Sequence, residues 1–418
     1  MDQHYVVAVS HIDIAYIERE EASEEMLDIL LERVLSVMDR RQEVRFALEQ
    51  VMHYKGLQQR RPDLFARVKE YLRQGRMEFM GGMITTADTN FPSGESLIRN
   101  QAMGIRWLEE NLGVRPKLGW LMDTFGLNAQ VPQIMKQFGF RHVYADRFGG
   151  ALPHDMFQAE GLDGSRVLMM GRISNAPKVI PTTQAFLYCH GWNDIDRLFQ
   201  RADALPEGLP KLVSYYIENE GPFNEYYLAL TRERGWKLAS YQDYSDAVDA
   251  SGYEAPVVNA DLNPEFTGTF ALRSPIKTEN RKIETMLMEA ELWQAFLDNR
   301  KEMDEAWWNV FFCQFHDVFT GSCSDRTYLS VMNRYAEVKE ASANALRETL
   351  KVSPDAASIL VRNSLPFPRK EWVRIGNKLI LAEMQPCGIR QFPLPTEEAV
   401  VTTGSGKEIS NEIGRAHV

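Results

Sequence analysis

The sequence has few cysteines, and none of them is in a metal-binding or disulfide pattern. Its 418 residues include four, Cys189, Cys313, Cys323 and Cys387, with no C-x-x-C pair. Neither a disulfide framework nor a thiolate zinc site is therefore expected. If the protein binds a metal ion, its ligands should be histidine and carboxylate side chains.

Long apolar runs are also missing. No segment approaches the ~20 uninterrupted apolar residues that cross a bilayer. The first residues, MDQHYVVAVSH, lack the basic start and long apolar segment of a signal peptide. We therefore expect a cytoplasmic protein without a membrane partner.

Positive charge is scarce as well. Lys and Arg number 47 against 58 Asp and Glu, which gives a net charge of -11. A phosphate backbone is bound by an excess of Lys and Arg, so nucleic acid is not an expected partner and a neutral or small substrate fits better.

The 44% hydrophobic content is typical of a globular protein, and the length allows two or three domains. The oligomeric state stays open, and a homo-oligomer is compatible with the sequence.

Apolar runs alternate with amphipathic patterns over residues 1–255, the first predicted domain. Helical spacing of apolar residues predicts helices over 21–40, 62–74 and 93–111. Strands are predicted at 5–9, 43–48, 77–80, 117–121, 142–145, 167–170 and 211–217. This alternation indicates an α/β domain with a mainly parallel sheet, open or closed into a barrel. In such sheets ligands bind at the carboxyl ends of the strands.

The pattern changes after residue 255. Long helical patterns over 276–299, 306–315 and 324–350 predict a helical bundle, assigned to residues 256–352. Short strands punctuated by prolines predict the start of a β-rich domain over 353–411. The last seven residues, EIGRAHV at 412–418, back-translate to a common sequencing-adapter sequence. We give them no structural role and expect the natural protein to continue.

A histidine and an aspartate follow the first predicted strand. In AVSHIDIAYIE, His11 and Asp13 are two residues apart, so their side chains share one face of an extended chain. Both can point at a common atom beyond the strand end. An isolated H-x-D is nevertheless more often a hydrogen-bonded pair in a loop.

Two later motifs place similar groups in apolar surroundings. In GWLMDTFG, Asp123 lies between Trp120 and Phe125, and burying its carboxylate is costly unless a cation or several donors compensate. An aspartate that caps the next helix is the alternative. In FFCQFHDVFTGSCSD, His316 and Asp317 are surrounded by phenylalanines, which suits a core histidine or a metal ligand steadied by its neighbour. One set of two imidazoles and two carboxylates would suit a divalent ion with a position open to substrate: His11, Asp13, Asp123 and His316.

The motifs follow one another in a characteristic order. HID is followed by GGMITTADTNFPSGESLIRN, GWLMDTFG with AQVPQI, NPEFTGTFALRSPIKTENR, FHDVFTGS and NSLPFPR. In this order they resemble the catalytic region of the family-38 glycoside hydrolases, the retaining α-mannosidases. The resemblance implies a seven-stranded β/α barrel, then a three-helix bundle, then β-sandwich domains of which only the first is begun here.

The resemblance also implies roles for individual residues. One Zn²⁺ or other divalent ion per active site would be held by the four ligands named above and would bind the 2- and 3-hydroxyls of a terminal mannose. Asp123 would be the nucleophile, and Arg99 matches a family arginine that would keep it ionised. The implied substrate-binding residues are Tyr16, Arg99, Phe125, Asp317 and Arg273.

The acid/base and some pocket residues are less clear. The family usually supplies the acid/base from a loop with an aspartate ahead of Gly-Pro, and the corresponding YYIENEGPFNE has none. Glu218 and Glu220 are the candidates, with Glu218 slightly preferred because it lies nearer the strand end; a solvated loop is the alternative for both. Residues 265–269 would line the pocket or hold a domain junction. Asp88 would hydrogen-bond the loop that carries Arg99.

The predicted function is an exo-acting α-mannosidase that releases terminal α-linked mannose from glycans or small mannosides, with retention through a covalent glycosyl-enzyme. One alternative is a metal-dependent carbohydrate deacetylase, in which a metal-bound water attacks an acetyl carbon. Another is a non-catalytic sugar-binding paralogue. The position of Asp123 among aromatic residues favours the mannosidase, because a deacetylase needs no anomeric nucleophile.

Overall fold

Strands and helices alternate through the first 258 residues of the computed structural model. The strands of this part are β1 (His4–Val9), β2 (Phe46–Leu48), β3 (Met77–Phe79), β4 (Gly119–Leu121), β5 (His142–Ala145), β6 (Met156–Glu160), β7 (Arg166–Met170), β8 (Phe186–His190), β9 (Lys211–Tyr216), β10 (Lys237–Leu238) and β11 (Val257–Val258). The helices are α1 (Glu20–Arg40), α2 (Val51–Arg60), α3 (Pro62–Arg73), α4 (Gly94–Asn111), α5 (Val131–Gln137), α6 (Glu225–Glu233) and α7 (Tyr241–Ser251).

Helices and then short strands follow. The helices are α8 (Ser274–Phe296), α9 (Asp304–Cys313), α10 (His316–Thr320) and α11 (Asp325–Glu348). The strands are β12 (Ser358–Arg362), β13 (Arg369–Ile375), β14 (Lys378–Met384), β15 (Ile389–Pro393), β16 (Thr403–Ser405), β17 (Glu408–Asn411) and β18 (Gly414–His417). The structure describes residues 3–17, 19–145, 147, 154–171, 186–190, 209–216, 225–263, 266–296, 303–349, 357–375, 378–394, 403–405, 408–411 and 414–417.

The chain divides into two units. The first comprises Met1–Thr285 and Asp304–Lys339, and the second comprises Met286–Met303 and Glu340–Val418. In the second unit the strands pair antiparallel, β12 with β15, β13 with β14, and β16 with β17 and β18. Strands β12 to β17 lie within residues 353–411, for which short strands were predicted. Strand β18 lies within residues 412–418, for which no structural role was expected.

Two sheets form the centre of the first unit. One has the order β3-β2-β1-β9-β8 with β10 also beside β1, and all its pairs are parallel. The other has the order β11-β6-β7-β5-β4, in which only the β6–β7 pair is antiparallel. The predicted α/β architecture with parallel sheets is confirmed. The strand pairs of the described residues do not close into a seven-stranded barrel.

The apolar patterns explain the burial of these elements. In β1 the run Val6–Val9 is buried throughout, as expected for a parallel strand covered on both faces. In α1 the predicted apolar face of Leu27, Leu31, Val34 and Met38 is buried. No helix among the described residues has the length and apolar character needed to span a membrane.

Some elements were not predicted. Helix α2 has only four buried residues and a glycine in its middle, so its apolar repeat is weak. Strand β6 forms a hairpin with β7, in which Gly161 N donates to Ser165 O at 2.8 Å. The helix predicted over 306–315 ends at Cys313 as α9, and the separate short helix α10 was not predicted.

Helix α4 supports the segment that follows β3. Asn100 Oδ1 accepts a hydrogen bond from Ile84 N at 2.7 Å, and Asn100 Nδ2 donates to Thr85 O at 3.0 Å. Gln101 Nε2 donates to Gly81 O at 2.6 Å. The helix can approach this closely because residue 104 is glycine: a Cβ there would lie 2.1 Å from Gly82 O.

We expect Gly104→Ala to destabilise the protein by about 1–3 kcal/mol, because the added methyl group overlaps backbone atoms that cannot move independently. Gly94→Ala in the same helix is the matched control, since a Cβ there meets no atom within 4 Å. Urea denaturation of both variants measures the difference. Equal stabilities would contradict the proposed close packing of α4.

Candidate functional site

Four polar side chains converge beyond the strand ends. His11 and Asp13 follow β1, Asp123 follows β4, and His316 is the first residue of α10. One potential ligand atom from each lies within 4.8 Å of the others. Both histidines are buried, whereas the Asp13 and Asp123 side chains are 32% and 19% exposed, so the carboxylates form the open side of the cluster. The four residues proposed from the sequence therefore lie together.

The distances within the cluster suit a metal ion. His11 Nε2 lies 3.2 Å from Asp13 Oδ1, and His316 Nε2 lies 3.4 Å from the same oxygen and 3.5 Å from Asp123 Oδ2. Within the described part of the chain, His316 Nε2 and Asp13 Oδ1 are buried without a hydrogen bond. A divalent cation would satisfy both atoms, and two imidazole nitrogens with two carboxylate oxygens are a suitable donor set.

The far side of each imidazole ring is occupied by an acceptor. His316 Nδ1 donates to Thr86 O at 2.8 Å, and His316 N donates to the same carbonyl at 3.2 Å. His11 Nδ1 lies 2.5 Å from Glu49 Oε1. Because a carbonyl and a carboxylate accept hydrogen bonds, the proton of each ring is held at Nδ1 and Nε2 faces the cluster.

Asp123 is paired with an arginine from the neighbouring strand end. Arg147 Nε donates to Asp123 Oδ1 at 2.5 Å, and Nη2 contacts the same oxygen. The guanidinium carbon lies 5.4 Å from the ring centre of Phe125 and 5.3 Å from that of Phe266. Asp123 has φ +59°, a left-handed conformation that aspartate adopts more readily than most residues.

The electrostatics favour a cation at the cluster. Burial raises the pKa of Asp123, but His316 and Arg147 outweigh it and bring the pKa below its ordinary value, so Asp123 is a carboxylate. Burial lowers the pKa of His316, but the carboxylates of Asp123 and Asp13 outweigh it and raise the pKa to about 10. A field that stabilises positive charge on an imidazole also stabilises a metal cation.

A cavity of about 550 Å³ opens onto the carboxylate side of the cluster. Its volume suits a sugar-sized ligand, and it combines aromatic walls with carboxylates. The lining residues are His11, Asp13, Tyr16, Ile17, Ser23, Met26, Asp123, Phe125, Arg147, Phe266, Thr269, Asp317 and Ser322.

Two family models match the chain. The N-terminal domain of glycosyl hydrolases family 38 matches residues 1–208, and the alpha mannosidase middle domain matches residues 265–352. The chain belongs to glycosyl hydrolases family 38. Three of the four cluster residues lie in the first match and His316 lies in the second.

Relatives of this family-38 chain are longer. Human "Alpha-mannosidase 2C1" is 26% identical over 411 residues, which cover 87% of this chain and 37% of that protein. The "Alpha-mannosidase" of Saccharomyces cerevisiae is 27% identical over 327 residues, which cover 70% of this chain and 29% of that protein. The crystal structure of an alpha-mannosidase from Enterococcus faecalis V583 shares the fold, with a TM-score of 0.75 at 19% identity, over 89% of this chain and 46% of that one. The chain therefore spans less than half the length of these relatives.

Several predicted site residues line the cavity of the family-38 chain. Tyr16, Phe125 and Asp317 do so, together with Thr269 from the predicted segment 265–269. Burial raises the pKa of Asp317 to about 7, although its carboxylate accepts a hydrogen bond from Ser322 Oγ at 2.7 Å.

Of the other predicted residues, the structure describes Asp88 but not the three glutamates. Glu218, Glu220 and Glu265 lie outside the described residues. Asp88 Oδ1 accepts hydrogen bonds from Asn90 N at 2.8 Å and Phe91 N at 3.2 Å, in the loop that leads into α4.

The prediction for Arg99 needs correction. The arginine that contacts Asp123 is Arg147, whereas Arg99 Nε donates to Glu95 Oε1 at 2.6 Å on the surface of α4. Strands β4 and β5 are parallel neighbours with Leu121 opposite Ala145. Two residues beyond this pair, Asp123 and Arg147 are side by side. Arg147 lies just after the strand predicted at 142–145, and this position was the available signal in the sequence. Which strand pairs with that strand, and therefore which residue Arg147 contacts, could not be read from the sequence.

Arg273 also has a different role from the predicted one. It does not line the cavity. Its Nε donates to Gly321 O at 3.2 Å and its Nη2 to Cys323 O at 3.0 Å, with a further contact to Asp325 Oδ1 at 2.8 Å. Arg273 therefore holds the loop that follows α10, because carbonyls at the end of that helix need donors.

We expect the purified chain to bind one divalent metal ion. His316→Ala should lose tight binding, because it removes an imidazole ligand that the Thr86 carbonyl orients. The metal content after equilibrium dialysis against Zn²⁺ measures this. His142→Ala is the matched control: His142 is also buried and pairs with an aspartate, Asp249, at 2.9 Å, but lies outside the cluster. Equal metal content in both variants would contradict the assignment.

Proposed function

We propose that the protein containing this chain is a zinc-dependent retaining α-mannosidase that acts on terminal α-linked mannose in glycans or small mannosides. The observation that carries the proposal is the position of Asp123, which belongs both to the four-residue cluster and to the cavity wall. The family match and the names of the relatives support the same activity. Retention requires a carboxylate that can attack the anomeric carbon, and Asp123 is ionised and reachable from the cavity.

His11, Asp13, Asp123 and His316 would hold the zinc ion, which supplies Lewis acidity toward the sugar hydroxyls. Asp123 would attack the anomeric carbon, so that the bond to the aglycone breaks and a glycosyl ester forms. Arg147 keeps the attacking carboxylate ionised, and Phe125 and Tyr16 offer ring faces to the apolar side of the sugar. Glu218 or Glu220 would give a proton to the departing oxygen and then take one from the water that hydrolyses the ester.

We also propose that the parallel strands belong to a barrel of the kind that the family resemblance implies. One backbone contact supports this. Gly81 N donates to Leu118 O at 2.9 Å, which joins the chain after β3 to the chain before β4, the edge strands of the two sheets.

We expect the purified protein to hydrolyse p-nitrophenyl α-mannoside, to lose activity on treatment with a chelator and to regain it with Zn²⁺. Asp123→Asn should lower turnover by a factor on the order of 10⁴, because the amide is a poor nucleophile. Asp163→Asn, in an exposed turn, is the control. A carbohydrate deacetylase would act only on acetylated sugar and a sugar-binding paralogue would release no nitrophenol; either result would overturn the proposal.

We expect Arg147→Ala to move the acidic limb of the kcat/KM profile to higher pH. Asp123 acts as a carboxylate, and the charge of Arg147 contributes to lowering its pKa. Removing the charge raises that pKa, so a higher pH is needed to ionise Asp123. Arg147→Lys keeps the charge and should move the limb less. An unshifted limb in Arg147→Ala would show that Arg147 does not control this ionisation.

A further inference from the structure

Two buried polar residues lie just behind the metal cluster. Glu49 and Gln50 directly follow β2 and are 4% and 2% exposed. Gln50 has φ 56° and ψ 96°, a left-handed φ that is unfavourable for a residue with a side chain. Such a conformation persists only where the surroundings enforce it, and it is concentrated at functional sites. The side-chain contacts of Glu49 and Gln50 show which groups these two residues hold in place.

Glu49 contacts the His11 ring through one carboxylate oxygen. Oε1 lies 2.5 Å from His11 Nδ1, and Oε2 accepts a hydrogen bond from Trp120 Nε1. Strands β1 and β2 are parallel with Val9 opposite Ala47, which brings residues 11 and 49 side by side. With its other oxygen held by the indole, the carboxylate fixes both the tautomer and the plane of the imidazole.

Gln50 uses both ends of its amide. Nε2 donates to Ile12 O at 3.0 Å, in the peptide between the two ligands of the H-x-D motif. Oε1 accepts from Thr86 N at 3.2 Å. The carbonyl of that same residue accepts from His316 Nδ1 at 2.8 Å. Gln50 thus connects the segment carrying the first two ligands with the residue that orients the fourth.

We propose that Glu49 and Gln50 are a pair of positioning residues that orient both imidazole ligands from one point at the end of β2. Glu49 sets the ring of His11, and Gln50 sets the ring of His316 through Thr86. The inference rests on the proposed function in one respect, namely that the cluster binds a metal ion. Neither residue contacts the cavity, so their effect on chemistry passes through the ligands.

The test measures metal affinity and ligand geometry separately from activity. Glu49→Gln and Gln50→Met are prepared in the full 418-residue chain. Zn²⁺ affinity is measured by competition with a chromophoric chelator, and the visible absorption of the Co²⁺-loaded protein reports the ligand geometry. We expect each variant to bind Zn²⁺ roughly 10–100-fold more weakly than the wild type, and the Co²⁺ bands to shift.

Glu78→Gln is the matched control. Glu78 is the carboxylate of the neighbouring strand β3, and it accepts hydrogen bonds from Tyr241 N and Gln242 N at the start of α7. The same chemical change there should leave Zn²⁺ affinity and the Co²⁺ bands unchanged. If Glu49→Gln does not fold, Glu49→Asp replaces it, since the shorter side chain cannot reach both His11 and Trp120.

The outcomes separate this inference from the proposed function. Weakened affinity with shifted Co²⁺ bands in the Glu49 and Gln50 variants but not in Glu78→Gln supports it. Wild-type affinity in both variants overturns the inference alone, because the metal site would stand without them. An equal loss in Glu78→Gln also overturns it, since the effect would then be general. A wild-type chain that binds neither Zn²⁺ nor Co²⁺ overturns the inference together with the proposed metal site.

Discussion

The register of the parallel strands is the constraint on which the site depends. Val9 is opposite Ala47, and Leu121 is opposite Ala145. Side chains two residues beyond each of these pairs are neighbours, so one pairing brings a histidine to a glutamate and the other an aspartate to an arginine. A shift of either register by one residue would turn these side chains to the opposite face. The apolar cores of the strands, which fix the register, therefore also fix the polar pairs at their carboxyl ends.

The peptide group of Thr86 connects His316, the fourth residue of the cluster, to these strands. Its carbonyl receives both the backbone and the ring N–H of His316, and its N–H is held by Gln50. Two residues further along, Asp88 N donates to Gln314 O at 3.2 Å. Helix α4 contacts the start of the same segment through Asn100, whose Nδ2 donates to Thr85 O. The TTADTN stretch therefore supports His316, and none of its residues lines the cavity.

Much of this site could be predicted from the sequence. His11, Asp13 and Asp123 were recognisable because polar residues after apolar strands mark the ligand-binding edge of an α/β sheet. His316 was recognisable as a histidine beside an aspartate in a strongly apolar segment. The arginine partner was misassigned, because which arginine reaches Asp123 depends on which strands are neighbours and in what register. Glu49 was overlooked for the same reason: in FALEQ, a glutamate after a strand has the appearance of a solvated residue.

The fold was predictable to a similar extent. The strands and helices with strong apolar repeats were found close to their observed bounds, such as β5 and α1. Helix α2 and the β6–β7 hairpin were missed. The apolar repeat of α2 is weak, and the helix is stabilised by packing against neighbouring helices. The β6–β7 hairpin is local, and Asp163-Gly164 in its turn is a hairpin signal that was overlooked. That this hairpin joins an otherwise parallel sheet is a tertiary property.

The position of His316 has a consequence for modularity. The first family domain ends at residue 208 and carries three of the four cluster residues, whereas the fourth belongs to the middle domain. The boundary between these two sequence modules thus passes through the four-residue cluster itself. Exchanging or engineering either module without the other would therefore separate His316 from the other three residues of the cluster.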